Sequence, residues 1–252
     1  MKKHLPFNGL PPLRACRAAM LLLALSVSVP SAAQWHVGVT AGYSCNKLCM
    51  DTGYAYDMRY EERGGFTVGI PVQYDFFDWL GVRAEVSFVQ KGHKMHRTDV
   101  WNKLHTDTRN NYLHVPVMAR FSFGGQRVRG FLNAGGYIGG WLSSHREGLT
   151  FRWFGDESEE DVNGWITPGN SYEFDEKVPF DSRRDNRFEA GLAGGIGVAC
   201  RVAPRVEVEV EGRCYYALTD MQKAYMKFQT PRYNTTFVIQ AGCNILLGKI
   251  KK

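Results

Sequence analysis

Long hydrophobic runs are scarce in this 252-residue chain. The one sustained apolar stretch, residues 18–29, falls short of the roughly eighteen residues a spanning helix needs, which excludes a polytopic helical membrane protein. A hydrophobic content of 44% excludes the opposite extreme, a chain too polar to fold. Lys2, Lys3, Arg14 and Arg17 precede the apolar stretch, and Ser31-Ala32-Ala33 follows it with the small residues of a cleavage site. This pattern reads as a secretory signal peptide over residues 1–33, with the mature chain starting at Gln34.

A lasting excess of one charge is also missing. The formal charge of +6 is carried mostly by the four basic residues of the leader, which holds no acidic residue. Without a lasting basic patch, and with export expected, nucleic acid is excluded as a partner. Cysteine is sparse. Cys16 lies before the apolar stretch instead of after it, so it is not placed as a lipid anchor. The other five are an odd number and do not supply the framework of a disulfide-stapled domain. Cys45 and Cys49 either bridge one loop or stay as free thiols. Cys200, Cys214 and Cys243 sit at apolar phase among apolar neighbours and read as small hydrophobes.

Helical periodicity is absent from the mature chain, whereas alternation with a period of two recurs along its length. The expected fold class is therefore all-β. Trp35, Val37, Val39, Ala41 and Tyr43 alternate with small or polar residues, and so do Phe66, Val68, Ile70, Val72 and Tyr74. The same holds for Leu80 to Phe88, Leu113 to Phe123, Phe188 to Val198, Val206 to Val210, and Phe237 to Leu247. The run 128–142 is mixed, because Leu132, Ala134, Ile138 and Leu142 occupy one phase and Phe131, Tyr137 and Trp141 the other.

That makes eight strands with connections of alternating length. Residues 77–79, 124–127 and 203–205 form short links, while 46–65, 91–111, 143–187 and 219–233 form long ones, together nearly half of the mature chain. The arrangement is that of an eight-stranded antiparallel transmembrane β-barrel over residues 34–248, with short periplasmic turns and long extracellular loops. Lipid cannot hydrogen-bond a free strand edge, so such a sheet must close. The polar phase carries Arg83, Glu85, Arg120, Glu189, Arg201, Glu207, Glu209, Glu211 and Arg213. Facing a narrow lumen these side chains can pair, whereas each facing lipid would cost about 2–4 kcal/mol near the midplane. Phe76, Phe77, Trp79, Phe121, Phe123 and Trp35 gather where a membrane interface is expected.

The motifs Tyr112-Leu113-His114-Val115-Pro116-Val117-Met118-Ala119-Arg120-Phe121 and Gly130-Phe131-Leu132-Asn133-Ala134-Gly135-Gly136-Tyr137-Ile138-Gly139-Gly140 resemble the outer-membrane β-barrel domain proteins of the Bacteroidetes, the porin-like group that includes the PorT type. Glu85-Val86-Ser87-Phe88-Val89-Gln90-Lys91-Gly92 and Gly191-Leu192-Ala193-Gly194-Gly195-Ile196-Gly197-Val198 carry it further. The resemblance implies the bacterial outer membrane, surrounded by lipid and lipopolysaccharide, and insertion by the barrel-assembly machinery. It implies no activity. Such barrels usually finish on an aromatic residue; this chain ends Leu246-Leu247-Gly248-Lys249-Ile250-Lys251-Lys252, read as a last strand followed by a basic tail over 249–252.

No G-x-S-x-G, H-E-x-x-H, Cys-x-x-Cys or Walker-type loop is present, and neither catalysis nor a cofactor is expected. Ser143, Ser144 and His145 offer part of a rim site for a lipid-modifying barrel, although loop composition explains them more simply. His93, His96, Asp99, His105 and Asp107, and separately Asp156, Glu157, Glu159, Glu160 and Asp161, could collect metal ions, but solvated loops are the simpler account and no metal site is assigned. Gly135, Gly136, Gly194 and Gly195 are read as close packing in a small barrel, since no helix follows them to bind phosphate. The long loops are the expected place for a protein partner, with Trp153, Phe154, Trp165 and Tyr172 as candidate anchors in the longest, unless that segment folds back as a lid or continues as a hairpin. A secreted soluble lipid-binding barrel is the alternative to membrane insertion.

Overall fold

The computed structural model describes residues 34–50, 58–98, 102–151, 171–223 and 230–247. The expected leader and the basic tail lie outside these residues. The described residues hold nine strands: β1 Gln34–Cys49, β2 Met58–Asp75, β3 Leu80–Arg97, β4 His105–Gly124, β5 Val128–Phe151, β6 Ser171–Val178, β7 Phe188–Ala203, β8 Val206–Ala217 and β9 Tyr233–Leu247. Eight of them form a closed antiparallel ring in the order β1-β2-β3-β4-β5-β7-β8-β9, and β9 returns to β1 from Trp35↔Leu247 to Cys49↔Tyr233. The ninth, β6, pairs only with the far half of β5, from Ser144↔Val178 to Phe151↔Ser171.

The short turns fall at 76–79, 125–127 and 204–205, where the sequence places them. Gly124 closes the second with φ of +115°, a conformation that an L side chain strains to adopt, and the Gly125 amide donates to the Val128 carbonyl at 3.0 Å.

The long connections differ from expectation. Among the described residues, segments 46–65 and 91–111 are mostly strand and 143–187 holds two strand pieces, because the ladders run on to Cys49, Arg97 and Phe151 and resume at Met58, His105 and Ser171. Beyond the lipid the outward face need not be apolar, so the alternation fades from the sequence while the backbone pairing continues. Segment 219–233 stays mostly irregular among its described residues, tied by an isolated bridge between Asp185 and Gln222.

The outer face is the greasy one. Val39, Val68, Ile70, Val86, Val117, Ile138, Leu192, Ile196, Val210, Ile239 and Ile245 are all exposed. Aromatics rim this band at both ends. Trp35, Phe77, Trp79, Phe121 and Phe123 ring the short-turn side, with Phe77 and Trp79 stacked at 6.0 Å. Tyr43, Phe66, Phe188, Tyr216 and Phe237 form a second girdle that the sequence reading did not identify. Trp35 and Tyr43 stand about 26 Å apart along β1, which at a strand tilt of roughly 40° spans about 20 Å across the membrane, most of the apolar height of an outer membrane. With charge inside and grease outside, the soluble lipid-binding alternative is overturned.

A bulge in β5 sets the inner surface at the long-loop end. Tyr112 pairs with Trp141 and Asn111 with Ser143, leaving Leu142 as the extra residue. Before it the inward residues are Phe131, Asn133, Tyr137 and Trp141; after it the buried one is Ser144. The mixed phase of this strand therefore resolves with its aromatics inside. Inward Gly135 and Gly195 have no room for a Cβ, which would strike the Val117 carbonyl and the Glu211 carboxylate, so close packing accounts for them. It does not account for Gly194, where a Cβ would sit 3.7 Å from its nearest neighbour.

All five described cysteines are free. Cys45 and Cys49 lie four residues apart on one extended strand, about 13 Å by strand rise, which a disulfide cannot span. Cys200, Cys214 and Cys243 share the apolar outer face with Val198, Val210 and Ile245.

Candidate functional site

Two buried charge clusters occupy the lumen. In the one nearer the short turns, Glu209 of β8 accepts from Arg83 of β3 and from Arg120 of β4, the latter at 2.9 Å. Arg213 Nη2 donates to Glu85 at 3.1 Å and to Glu211 at 2.7 Å. Glu211 accepts further from Asn133 at 2.8 Å and Gln240 at 3.1 Å. Arg120 stands 3.8 Å from Glu207 and 3.7 Å above the centre of the Phe131 ring. These side chains come from different strands yet meet, because each lies on the inward phase of its own strand.

The second cluster centres on Glu189 of β7. It accepts from Lys91 of β3, from the Tyr137 hydroxyl at 2.8 Å and from Asn234 Nδ2 at 2.8 Å, while His114 Nε2 approaches to 3.4 Å. Lys91 Nζ also lies 4.6 Å from the centre of the Tyr112 ring. Tyr137, Tyr215 and His114 pack edge or tilt against one another at about 5 Å, closing the space between the two clusters.

Of the nine residues expected in a lumen network, eight are in these clusters. Arg201 is the exception: it is registered opposite Glu207, but it lies half-exposed at the short-turn opening and its Nε has no partner among the described residues. There it lines a cavity of about 570 Å³ with Asp75, Trp79 and Arg129. Lys91 and His114 were missed as network members. Lys91 was placed in a loop, although it continues the phase of Arg83, Glu85, Ser87 and Val89.

The chain matches the outer membrane protein beta-barrel domain family over residues 28–223. It belongs to that family. Its location is the bacterial outer membrane. Among solved structures, this barrel is similar to Neisserial surface protein A (NspA), at 14% identity and a TM-score of 0.42, covering 85% of this chain and 98% of that one. It is similar also to OprG from Pseudomonas aeruginosa (10%, TM-score 0.47, 87% and 98%) and to Ail, the attachment invasion locus protein of Yersinia pestis (17%, TM-score 0.39, 83% and 97%). No curated protein matches.

At the extracellular mouth of this family member, the strand extensions enclose a cavity of about 220 Å³. Its walls include His93, Thr108, Asn110, Trp141, Ser144, Arg146, Arg184, Asp185 and Arg232. His93 lies several residues above the aromatic girdle, on the inward phase of β3. Burial, together with the positive charges of Arg232 and Arg146, pulls its imidazole down to about 4 against the weaker opposing pull of Asp107.

The other candidates separate. Ser144 faces inward and His145 outward, because neighbours on a strand alternate, so these two do not share a rim site. His96 and His105 stack across β3 and β4 at 6.1 Å, Asp107 is taken by Arg63, and His93 points into the mouth. That set is therefore not gathered around one point, and Asp99 lies outside the described residues, as do Asp156, Glu157, Glu159, Glu160 and Asp161. A different trio, His145, Glu147 and Asp175, meets on the hairpin, where Arg109 also reaches Glu147 at 3.8 Å. Tyr172 is half-exposed on β6, so part of the longest connection is the hairpin alternative; Trp153, Phe154 and Trp165 lie outside the described residues.

Proposed function

We propose that this outer-membrane barrel is sealed to solutes and serves a structural or recognition role through its extracellular end, without catalysis. The observation that carries this reading is the pair of buried clusters, since eight strands enclose an interior that side chains alone can fill. The strand extensions above the aromatic girdle, with Tyr172 on β6, offer a rigidly mounted surface for a protein partner or for lipopolysaccharide, and Trp153, Phe154 and Trp165 are the further candidate anchors of the same connection. Within the family, the motifs at 112–121 and 130–140 favour the Bacteroidetes PorT-type group. Residues 1–33 act as a removable leader in this reading, and the last strand is what the assembly machinery engages.

Planar-bilayer recording of the purified, folded protein tests the seal. Baseline current is expected, and large stable single-channel steps would overturn it. Incubation with lipopolysaccharide or phospholipid, followed by mass spectrometry of the acyl chains, tests the absence of catalysis. Turnover abolished by Ser144→Ala or His145→Ala would replace this reading with an enzymatic one.

A further inference from the structure

We propose that the extracellular mouth is an oxyanion site, in which Arg146, Arg184 and Arg232 surround a cavity sized for one phosphate or sulfate group. This deepens the recognition reading above by naming a ligand chemistry. The cavity is assembled from parts distant in sequence: Leu48 of β1, His93 of β3, Thr108 and Asn110 of β4, the segment of β5 beyond the bulge, and the connections carrying Arg184 and Arg232.

The charge balance of the lining is one-sided. Among the described residues Asp185 is its only carboxylate, and both of its oxygens are already engaged: Oδ1 accepts from Arg184 Nε at 2.8 Å, and Oδ2 from Arg184 Nη2 at 3.1 Å and from the Asp181 amide at 2.8 Å. Further carboxylates stand nearby. Asp220 accepts from the backbone amides of Arg232 at 3.0 Å and Gln222 at 2.9 Å, not from a guanidinium. Asp107 is held by Arg63, and Glu176 is registered opposite Arg146 without an ion pair among the described residues. Arg146 and Arg232 are thus left with no carboxylate of their own among the described residues.

Arg232 Nε is buried with no hydrogen-bond acceptor among the described residues, and a buried donor left so is costly unless something accepts from it. Its planar fork suits the oxygens of phosphate or sulfate better than it suits a neutral ligand. Thr108, Ser144 and Asn110 add polar groups to the floor, and Trp141 closes it. His93 is lowered chiefly by burial, and Arg232 and Arg146 push it the same way, which agrees with a positive field at the mouth. At about 220 Å³ the cavity lies below the usual range of drug-sized pockets and has room for an oxyanion group. It is bounded by inward residues of the ring, so a water-borne anion is the favoured source and a phosphate carried on lipid the other.

Titration of the folded barrel, in a phosphate-free detergent, with inorganic phosphate followed by calorimetry tests the site. Saturable binding that sulfate displaces is expected, weakened at least tenfold by Arg232→Gln and by Arg146→Gln, with Arg129→Gln at the opposite end unchanged. In the wild-type protein the His93 imidazole, followed by NMR, is expected to titrate at higher pH when phosphate is present, a readout that needs no variant to fold. Absence of saturable binding, equal binding by both mouth variants, or an unmoved His93 would each overturn the proposal. Repeating the titration in nanodiscs with and without lipid A assigns the source. Competition supports the site with a lipid-borne phosphate, and unchanged binding supports it with a soluble one. A loop-dependent partner list without phosphate binding would remove the oxyanion site alone and leave the recognition reading standing.

Discussion

Glu209 shows what a buried charge does in this lumen. It accepts from two guanidinium groups, so its removal leaves Arg83 with only Glu85 at 3.4 Å and Arg120 with only Glu207 at 3.8 Å. Glu209→Leu is expected to destabilise the barrel by roughly 3–5 kcal/mol, in line with breaking one side of a buried pair, when unfolding by urea is followed in liposomes. Glu173→Gln, on exposed β6, is expected to change it by less than about 0.5 kcal/mol. Equal effects would mean that the lumen is wet and the charges solvated. His93 carries the opposite kind of dependence. Its folded value of about 4 lies below the ordinary 6.5, so between these values the unfolded chain binds the proton more readily and stability rises with pH. Hydrogen exchange in β3 and β4 beyond Gln90 is therefore expected to quicken as pH falls from about 6.5 toward 4, and His93→Gln to flatten that response. A pH-independent exchange rate in the wild type would show that Arg146 and Arg232 do not act on this ring.

β5 is the strand whose two halves do different work. Its first half lies between β4 and β7, and its second half stays paired with β4 on one edge while β6 replaces β7 on the other. Glu147 and Asp175 stand directly opposite each other, so a two-residue Asn-Gly turn in place of residues 148–174 can close the shortened hairpin. The barrel is expected to keep its heat-modifiable gel mobility and its unfolding free energy to within about 1 kcal/mol, because every β5–β7 pairing is kept and the β4–β5 ladder loses only Thr106↔Gly148 and His105↔Leu149 at its outer end. A pull-down from outer-membrane extracts with this variant then asks whether the hairpin is the recognition surface; an unchanged partner list would rule it out. This strand also marks where the sequence stopped being legible. Most of the ring could be read because one face of each strand is continuously apolar, and eight of nine lumen charges followed from their phase. In β5 the inward face is partly aromatic, so Phe131, Tyr137 and Trp141 compete with Leu132, Ile138 and Leu142 for the outer role, and period alone does not decide. The bulge at Leu142 carries no glycine or turn signal in the sequence. Nor do Lys91 to Arg97 show apolar alternation, since both faces there meet polar surroundings, and the extension of β3 and the role of Lys91 were hidden for the same reason.

The molecule's position in the bilayer follows from its two aromatic girdles, and its free thiols can measure it. Cys214 is registered opposite Phe237, and Cys243 lies opposite both Val39 and Val208, so these two point outward within the apolar band. Cys49 stands six residues beyond the Tyr43 girdle position, about 20 Å along the strand, where β1 has left the hydrocarbon. A thiol inside hydrocarbon is kept from a charged, water-soluble maleimide both by exclusion of the reagent and by the cost of forming a thiolate there. In liposomes the reagent is therefore expected to modify Cys49 and to spare Cys214 and Cys243, which should react once the protein is unfolded in urea. Substituting Cys49 by Ser should abolish the fast reaction if Cys45, next to the girdle, is slow. Modification of Cys243 in the intact proteoliposome would place the lipid elsewhere on the barrel. The assignment of β1 beyond Tyr43, β3 beyond Gln90 and the β5–β6 hairpin to the extracellular space would then fall with it, because all three rest on the same apolar band.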